Sequence, residues 1–205
     1  MRGLNYKALQ GKLKTALNNC GLSISPKLAS RQRACAEMIE EYVQSKLPDL
    51  LPKAIKAEIA KTAKAMGDVQ LSDDSNNIYN LDIKTHRVGK WGMPNLTSYK
   101  KLRKFYGDSK NKFVIAAIDY DINNKGKFSF LNVVVAPIEH FSWDCMNVQG
   151  TLGQIQFANA ENIILDRQAS RQSWIKKFYE TTEAAIDRKI KALEKDALLF
   201  EWATN

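Results

Sequence analysis

A chain of 205 residues suffices for one well-buried domain and is short for two, so a single domain covering residues 1–205 is expected. Its 31 Lys and Arg against 22 Asp and Glu give a formal charge of +9, which biases the partner toward something anionic, nucleic acid first. The cysteines, Cys20, Cys35 and Cys145, are odd in number and form no CxxC pair, which argues against a disulfide framework or a zinc site. With only His86 and His140, a His-rich metal cluster is also disfavoured. No apolar run is long enough to span a bilayer, and Met1-Arg2-Gly3 leads into an amphipathic stretch rather than a signal peptide, so a cytoplasmic protein without a membrane partner is expected.

Residues 4–19 place Leu4, Ala8, Leu13, Ala16 and Leu17 at helical spacing, with Cys20-Gly21 as a stop. Ser25-Pro26 reads as an N-cap with proline at the first helical position, opening a helix that runs to about Lys46, before Pro48. Its apolar stripe is Ala34, Cys35, Met38, Ile39 and Tyr42. Helical geometry puts Glu41 at the edge of that stripe, Glu37 beside it and Glu40 further toward solvent. Residues 52–66, rich in Ala and Lys, read as another helix ended by Gly67.

Asp68 then opens a short strand, Val69-Gln70-Leu71, and the polar run 72–77 is a natural turn into the apolar strand Ile78-Tyr79-Asn80-Leu81. At the end of that strand stands Asp82-Ile83-Lys84. Strand side chains alternate faces, so Asp82 and Lys84 project together while Ile83 points the other way. The hairpin brings Asp68 back beside Asp82. Two carboxylates converging with a lysine form a plausible hard-cation site, and oxygen ligands of this kind suit Mg²⁺.

Residues 85–95 carry Thr85, His86, Arg87, Lys90 and Trp91 among glycines and a proline, and read as a basic, aromatic loop. Residues 96–106 read as a short helix capped by Thr97 or Asn95, with Lys100, Lys101, Arg103 and Lys104 along it, a phosphate clamp or a solvated lysine-rich face. The β-branched run within 112–122 predicts a central strand buried on both faces, the segment 123–127 a hairpin, and 128–136 the returning strand closed by Pro137. Residues 141–160 show no clear period and hold the densest cluster of amides in the chain, among them Asn147, Gln149, Gln154, Gln156 and Asn159. Amides pair bidentately with adenine, and polar loops also contain them for conformational reasons. Residues 170 to about 202 predict a long helix that caps the sheet or pairs with a second copy. The expected class is α/β (α+β), a mixed central β-sheet flanked by α-helices.

The order of helix, hairpin carrying Asp68 and Asp82-x-Lys84, basic helix and apolar strand pair resembles the PD-(D/E)xK nuclease superfamily. Asp82-Ile83-Lys84-Thr85 followed by Asn95-Leu96-Thr97-Ser98-Tyr99 resembles the blunt-cutting type II restriction endonucleases of the EcoRV and HincII group, over about residues 67–120. The resemblance implies a restriction-endonuclease-like core. It assigns Asp68 and Asp82 as metal-binding acids, with the backbone carbonyl of Ile83 as a further ligand. Lys84 becomes the lysine that orients or deprotonates the attacking water. Gly67 stands where the family name has a proline. The family often adds a glutamate from the preceding helix, here Glu41 with Glu37 as the alternative.

The implied activity is Mg²⁺-dependent hydrolysis of both strands of a short palindromic double-stranded DNA site, leaving 5′-phosphate and 3′-hydroxyl ends, with Mn²⁺ as a substitute cation. The implied partners are DNA, a second copy of the chain in a homodimer, and a cognate DNA methyltransferase that is functionally paired. Base and backbone contacts would come from Thr85, His86, Arg87, Lys90, Trp91, Asn95, Thr97, Ser98, Tyr99, Lys100, Lys101 and the amides at 147, 149, 154, 156 and 159. Two rivals stay open: a structure-specific or nicking nuclease of the same superfamily, and a non-catalytic DNA-binding module.

Overall fold

The computed structural model describes residues 3–60, 66–90, 92, 94–158 and 160–201. Its centre is strand β5, Asn111–Ile122, whose two faces are both covered. Val114, Ala116, Ile118 and Tyr120 pack into one apolar cluster, while Phe113, Ile115 and Ala117 pack into another on the opposite face. That two-sided burial explains the apolar run, because no position from Phe113 to Ile118 is left to water.

Five strands form the main sheet in the order β1-β2-β3-β5-β6. They are β1 Ile55–Ile59, β2 Val69–Asp73, β3 Ile78–Arg87, β5 and β6 Phe128–Pro137. β3 and β5 run parallel, and every other neighbouring pair is antiparallel. The sheet is therefore mixed, with helices on both faces. Helices α1 (Tyr6–Asn18) and α2 (Gln32–Leu50) cover one face, burying Leu9, Leu13 and Leu17 and then Cys35, Ile39, Val43 and Leu47. The other face carries α3 (Tyr99–Phe105), α4 (Arg171–Glu201) and a small antiparallel sheet. That second sheet has the order β4-β8-β7, from Asn95–Ser98, Gln154–Phe157 and Met146–Gln149.

Several boundaries differ from the sequence reading. The helix expected over 52–66 is not formed across Ile55–Ile59, which instead makes an edge strand paired with β2, Ala57 opposite Leu71; residues 61–65 lie outside the described residues. Ala and Lys favour helix locally, and pairing with β2 overrides that weak preference. α2 starts at Gln32 rather than at Pro26, because residues 26–30 are spent in turns, and it continues past Pro48 to Leu50. Thr85–Arg87 extends β3 instead of opening a loop, and residues 95–98 form β4, so that the basic helix begins only at Tyr99. The amide-rich stretch without visible period contains β7 and β8.

α4 is pinned at its N-terminal end by Arg171. Its guanidinium donates to the carbonyls of Asp108, Ser109 and Asn111, lies 4.1 Å from the centre of the Tyr106 ring, and faces the buried Glu139 at 3.8 Å. Arg171→Ala would leave Glu139 without its cation in a dry setting, an expected cost of about 3 kcal/mol. A urea denaturation midpoint within error of the parent would show that the pin carries no such load.

Candidate metal-dependent hydrolytic site

Asp82 and Lys84 do share one face of β3, as an alternating strand requires. The Lys84 ammonium donates to Asp82 Oδ1 at 3.0 Å and lies 3.0 Å from Oδ2 as well. Asp68 stands just before β2, and its Oδ2 accepts the Ile83 N–H at 2.6 Å. The hairpin thus joins all three residues predicted from the sequence. They line a cavity of about 470 Å³ together with Glu40, Gln44, Thr97, Ser98, Lys101 and Gln154.

Asp68 is placed by a turn that requires glycine. Gly67 has φ +84°, and a Cβ built there would lie 2.9 Å from the Leu81 carbonyl oxygen. That carbonyl accepts the Asp68 N–H at 2.8 Å. Backbone approach this close, at positive φ, is open to glycine and closed to proline, whose ring holds φ near −65°.

The glutamate of α2 that lines this cavity is Glu40, and the expected candidates Glu41 and Glu37 do not line it. Both of those side chains are exposed, and Glu37 pairs with Arg33 at 2.8 Å on the outside of α2. The buried stripe of α2 runs Cys35, Ile39, Val43, Leu47. The row before it, Ala34, Met38 and Tyr42, packs against the same apolar cluster, and the Tyr42 hydroxyl donates to Ala16 O in α1. The row after it carries Glu40 and Gln44 to the cavity. Glu40→Gln should lower any metal-dependent cleavage about 10- to 100-fold, the size typical of a supporting carboxylate, whereas Glu41→Gln should leave it unchanged in a steady-state plasmid assay. The reverse ranking would remove Glu40 from the site.

Electrostatics mark this cluster as short of positive charge. Burial, aided by the neighbouring Asp68 and Glu40 carboxylates, pushes Asp82 up to about 7 against the pull of Lys84. Glu40 is raised by burial and by Asp68. Burial alone would lower Lys84, but Asp82, Asp68 and Glu40 together outweigh it and raise the amine above its ordinary value. The lysine is thus held as an ammonium.

Would these residues suit a divalent cation? Asp82 Oδ2 is buried and accepts no hydrogen bond of acceptable geometry, although the Lys84 ammonium is within ion-pair distance. We read it as electrostatically compensated with a lone pair left open. A strand residue's N–H and C=O point to the same edge, so the Ile83 carbonyl opens beside its N–H toward Asp68. Among the described residues no group of three or more His, Cys, Asp and Glu is arranged as a metal cage. Mg²⁺ does not need one, since it keeps several waters and takes one or two carboxylates plus substrate oxygens. The donor set fits.

The remaining residues expected to touch DNA divide between places. Thr97, Ser98, Lys101 and Gln154 reach the cavity wall. Thr85, His86, Arg87 and Lys90 line a separate depression beside α2. His86 there is buried as a tether, its ring nitrogens at 3.2 Å from Asp119 and 3.0 Å from the Lys90 carbonyl. Arg87 holds the Ala29 and Ile122 carbonyls. Both side chains are engaged within the chain, on β3 rather than on a loop. Tyr99 and Lys100 turn to a groove between α3 and α4. Trp91 and Asn159 lie outside the described residues.

The small sheet supplies a feature that periodicity had concealed. Asn147 is opposite Gln156, Gln149 is opposite Gln154, and on the other side of β8 Asn95 and Ser98 face Gln156 and Gln154. Amides therefore form two cross-strand rows on one face, while Met146, Val148, Ile155 and Phe157 enter the core from the other. The alternation Met-Asn-Val-Gln and Gln-Ile-Gln-Phe around Gly150 to Gly153 is the signal that finds it. Gln154 and Ser98 end one row at the cavity. No protein-family model matches this chain, and no curated protein matches it. The site stands on its own residues.

Proposed function

We propose that this chain is a metal-dependent nuclease, acting as a homodimeric type II restriction endonuclease that hydrolyses both strands of a short palindromic DNA site. The observation that carries the reading is the meeting of Asp68, Asp82, Glu40 and Lys84 on one open cavity, beside amide and hydroxyl side chains of the small sheet. A phosphodiester presents negative oxygens, so its hydrolysis needs concentrated positive charge and a deprotonated water together. Mg²⁺ held by Asp68, Asp82 and the Ile83 carbonyl would polarise the scissile phosphate, lower the pKa of water and stabilise the leaving 3′ oxygen.

The chain's own groups divide the remaining work. Lys84, kept protonated by its acidic neighbours, contributes a point charge beside the phosphate and orients the water. As the water oxygen bonds to phosphorus the water gives up a proton to a neighbouring group or to solvent, and the departing 3′ oxygen takes one up from solvent. Thr97, Ser98 and Gln154, fixed on paired strands, offer hydroxyl and amide groups to the nucleic acid, and Lys101 offers a charge to its backbone.

Digestion of unmethylated plasmid with Mg²⁺, or with Mn²⁺, tests the reading. Discrete double-strand fragments with 5′-phosphate ends support it. Nicked circles alone would transfer the chain to the structure-specific or nicking nucleases. Binding without cleavage under any divalent cation would make it a DNA-binding module. The cognate methyltransferase belongs to this proposal and would protect the same sequence. Among the described residues no helix is long and apolar enough to cross a membrane.

A further inference from the structure

α4 outruns the body it packs against. Trp174, Phe178 and Ala185 are buried on the core side, yet from Ile186 to Leu198 every side chain is exposed. Four large apolar residues of α4 follow one line, while Leu198, 62% exposed, lies off it. Tyr179, Ile186, Ile190 and Leu193 are 49%, 37%, 47% and 57% exposed and are spaced by seven, four and three residues. At 100° per residue this stripe lies about a quarter-turn from the core-facing one. It continues the floor of the groove between α3 and α4, a cavity of about 630 Å³ lined by Tyr99, Phe178, Tyr179 and Ile186.

The two edges of the stripe carry opposite charge. On the α3 side stand Lys100, Arg103 and Lys104, with the Arg103 guanidinium 6.0 Å from the centre of the Tyr179 ring. On the far side, further round α4, stand Glu180, Glu183, Asp187 and Glu194, all exposed, with one cation, Lys176, on the same row. Glu180 meets Lys177 at 3.6 Å in a solvent-screened pair.

We propose that this stripe is the surface on which a second copy of the chain docks, with the two α4 helices parallel about a two-fold axis running along them. The inference deepens the homodimer reading above, on which it rests, by giving the second copy a surface. The charge pattern selects both occupant and direction. Rotation about an axis along the stripe exchanges its edges, so the basic edge of each copy faces the acidic edge of the other. Rotation about an axis across the stripe sets basic on basic and acid on acid. An isologous contact must be self-complementary, and only the parallel arrangement is.

Sedimentation equilibrium of the full chain without DNA tests this. The wild type should be a dimer, and Ile190→Asp should weaken association at least about 100-fold. Two charge reversals then probe the edges: Arg103→Glu with Lys104→Glu, and Glu183→Lys with Asp187→Lys. Each double variant alone should be monomeric, and an equimolar mixture should form a heterodimer. That recovery could not come from misfolded chains. A wild type that stays monomeric at about 50 µM, reversals that remain dimeric, or a mixture that remains monomeric would overturn the surface. Plasmid cleavage is scored separately. A cleaving monomer overturns the docking surface alone, whereas a dimer with the expected charge behaviour and no cleavage supports the surface while the nuclease reading fails.

Discussion

Asp82→Asn should abolish metal-dependent cleavage while making the protein more stable above neutral pH. On the proposed mechanism, loss of the carboxylate removes a cation ligand and charge complementarity at the phosphate, an expected fall of about 10³-fold in turnover. The stability effect follows from burial. Asp82 is raised from 3.8 to about 7 in the folded chain, so between these values the folded state holds a proton that the unfolded state has released. Stability therefore falls as pH rises from about 4 to about 7 and is level above that window with respect to this group. The limiting size is about 4 kcal/mol, or roughly 10 °C in Tm for a chain of this length.

Lys84 does not alter that window. Its raised value lies above 10.5, so the stability it contributes is complete below about pH 10 and is lost only at higher pH. Thermal melts in EDTA from pH 4 to pH 8.5 should thus show a declining Tm for the wild type and a flatter profile for Asp82→Asn. Added Mg²⁺ should restore part of the wild-type loss at pH 8 and none at pH 4.5. A wild-type Tm independent of pH across this range would remove the raised carboxyl from the account.

Gly67→Pro should be among the most damaging single changes to the hairpin. Proline cannot reach φ +84°, and any Cβ at this position meets the Leu81 carbonyl oxygen at 2.9 Å. Gly67→Ala is expected to cost about 1 to 3 kcal/mol and Gly67→Pro more than about 3. The Tm should drop by about 3 to 10 °C in the first case and further in the second. Cleavage should fall with it, because the Asp68 N–H bond to Leu81 and the Asp68 carboxylate bond to Ile83 are made by the same turn. If Gly67→Pro melted within about 2 °C of the parent, the left-handed turn would not be the element that sets Asp68.

Glu40 shows where reading along the chain stops. A helical wheel identifies the buried stripe of α2, but the rows on either side of it are equivalent until something packs against one of them. α1 takes the side of Tyr42. That leaves Glu40 and Gln44 on the side where Asp68 and Asp82 open. The same limit explains residues 55–59, whose Ala and Lys content favours helix while the free edge of β2 draws them into the sheet.

The amino-acid sequence by itself determined that Asp82 and Lys84 share a face, that a hairpin returns Asp68 to them, and that β5 is buried on both sides. Each follows from a local period or a turn signal only a few residues long. Tertiary structure alone decided which glutamate joins them, that the amides line up across the small sheet, and that one stripe of α4 is left without cover. Those outcomes depend on which of several locally equivalent faces a distant segment comes to occupy, and no short-range pattern carries that information.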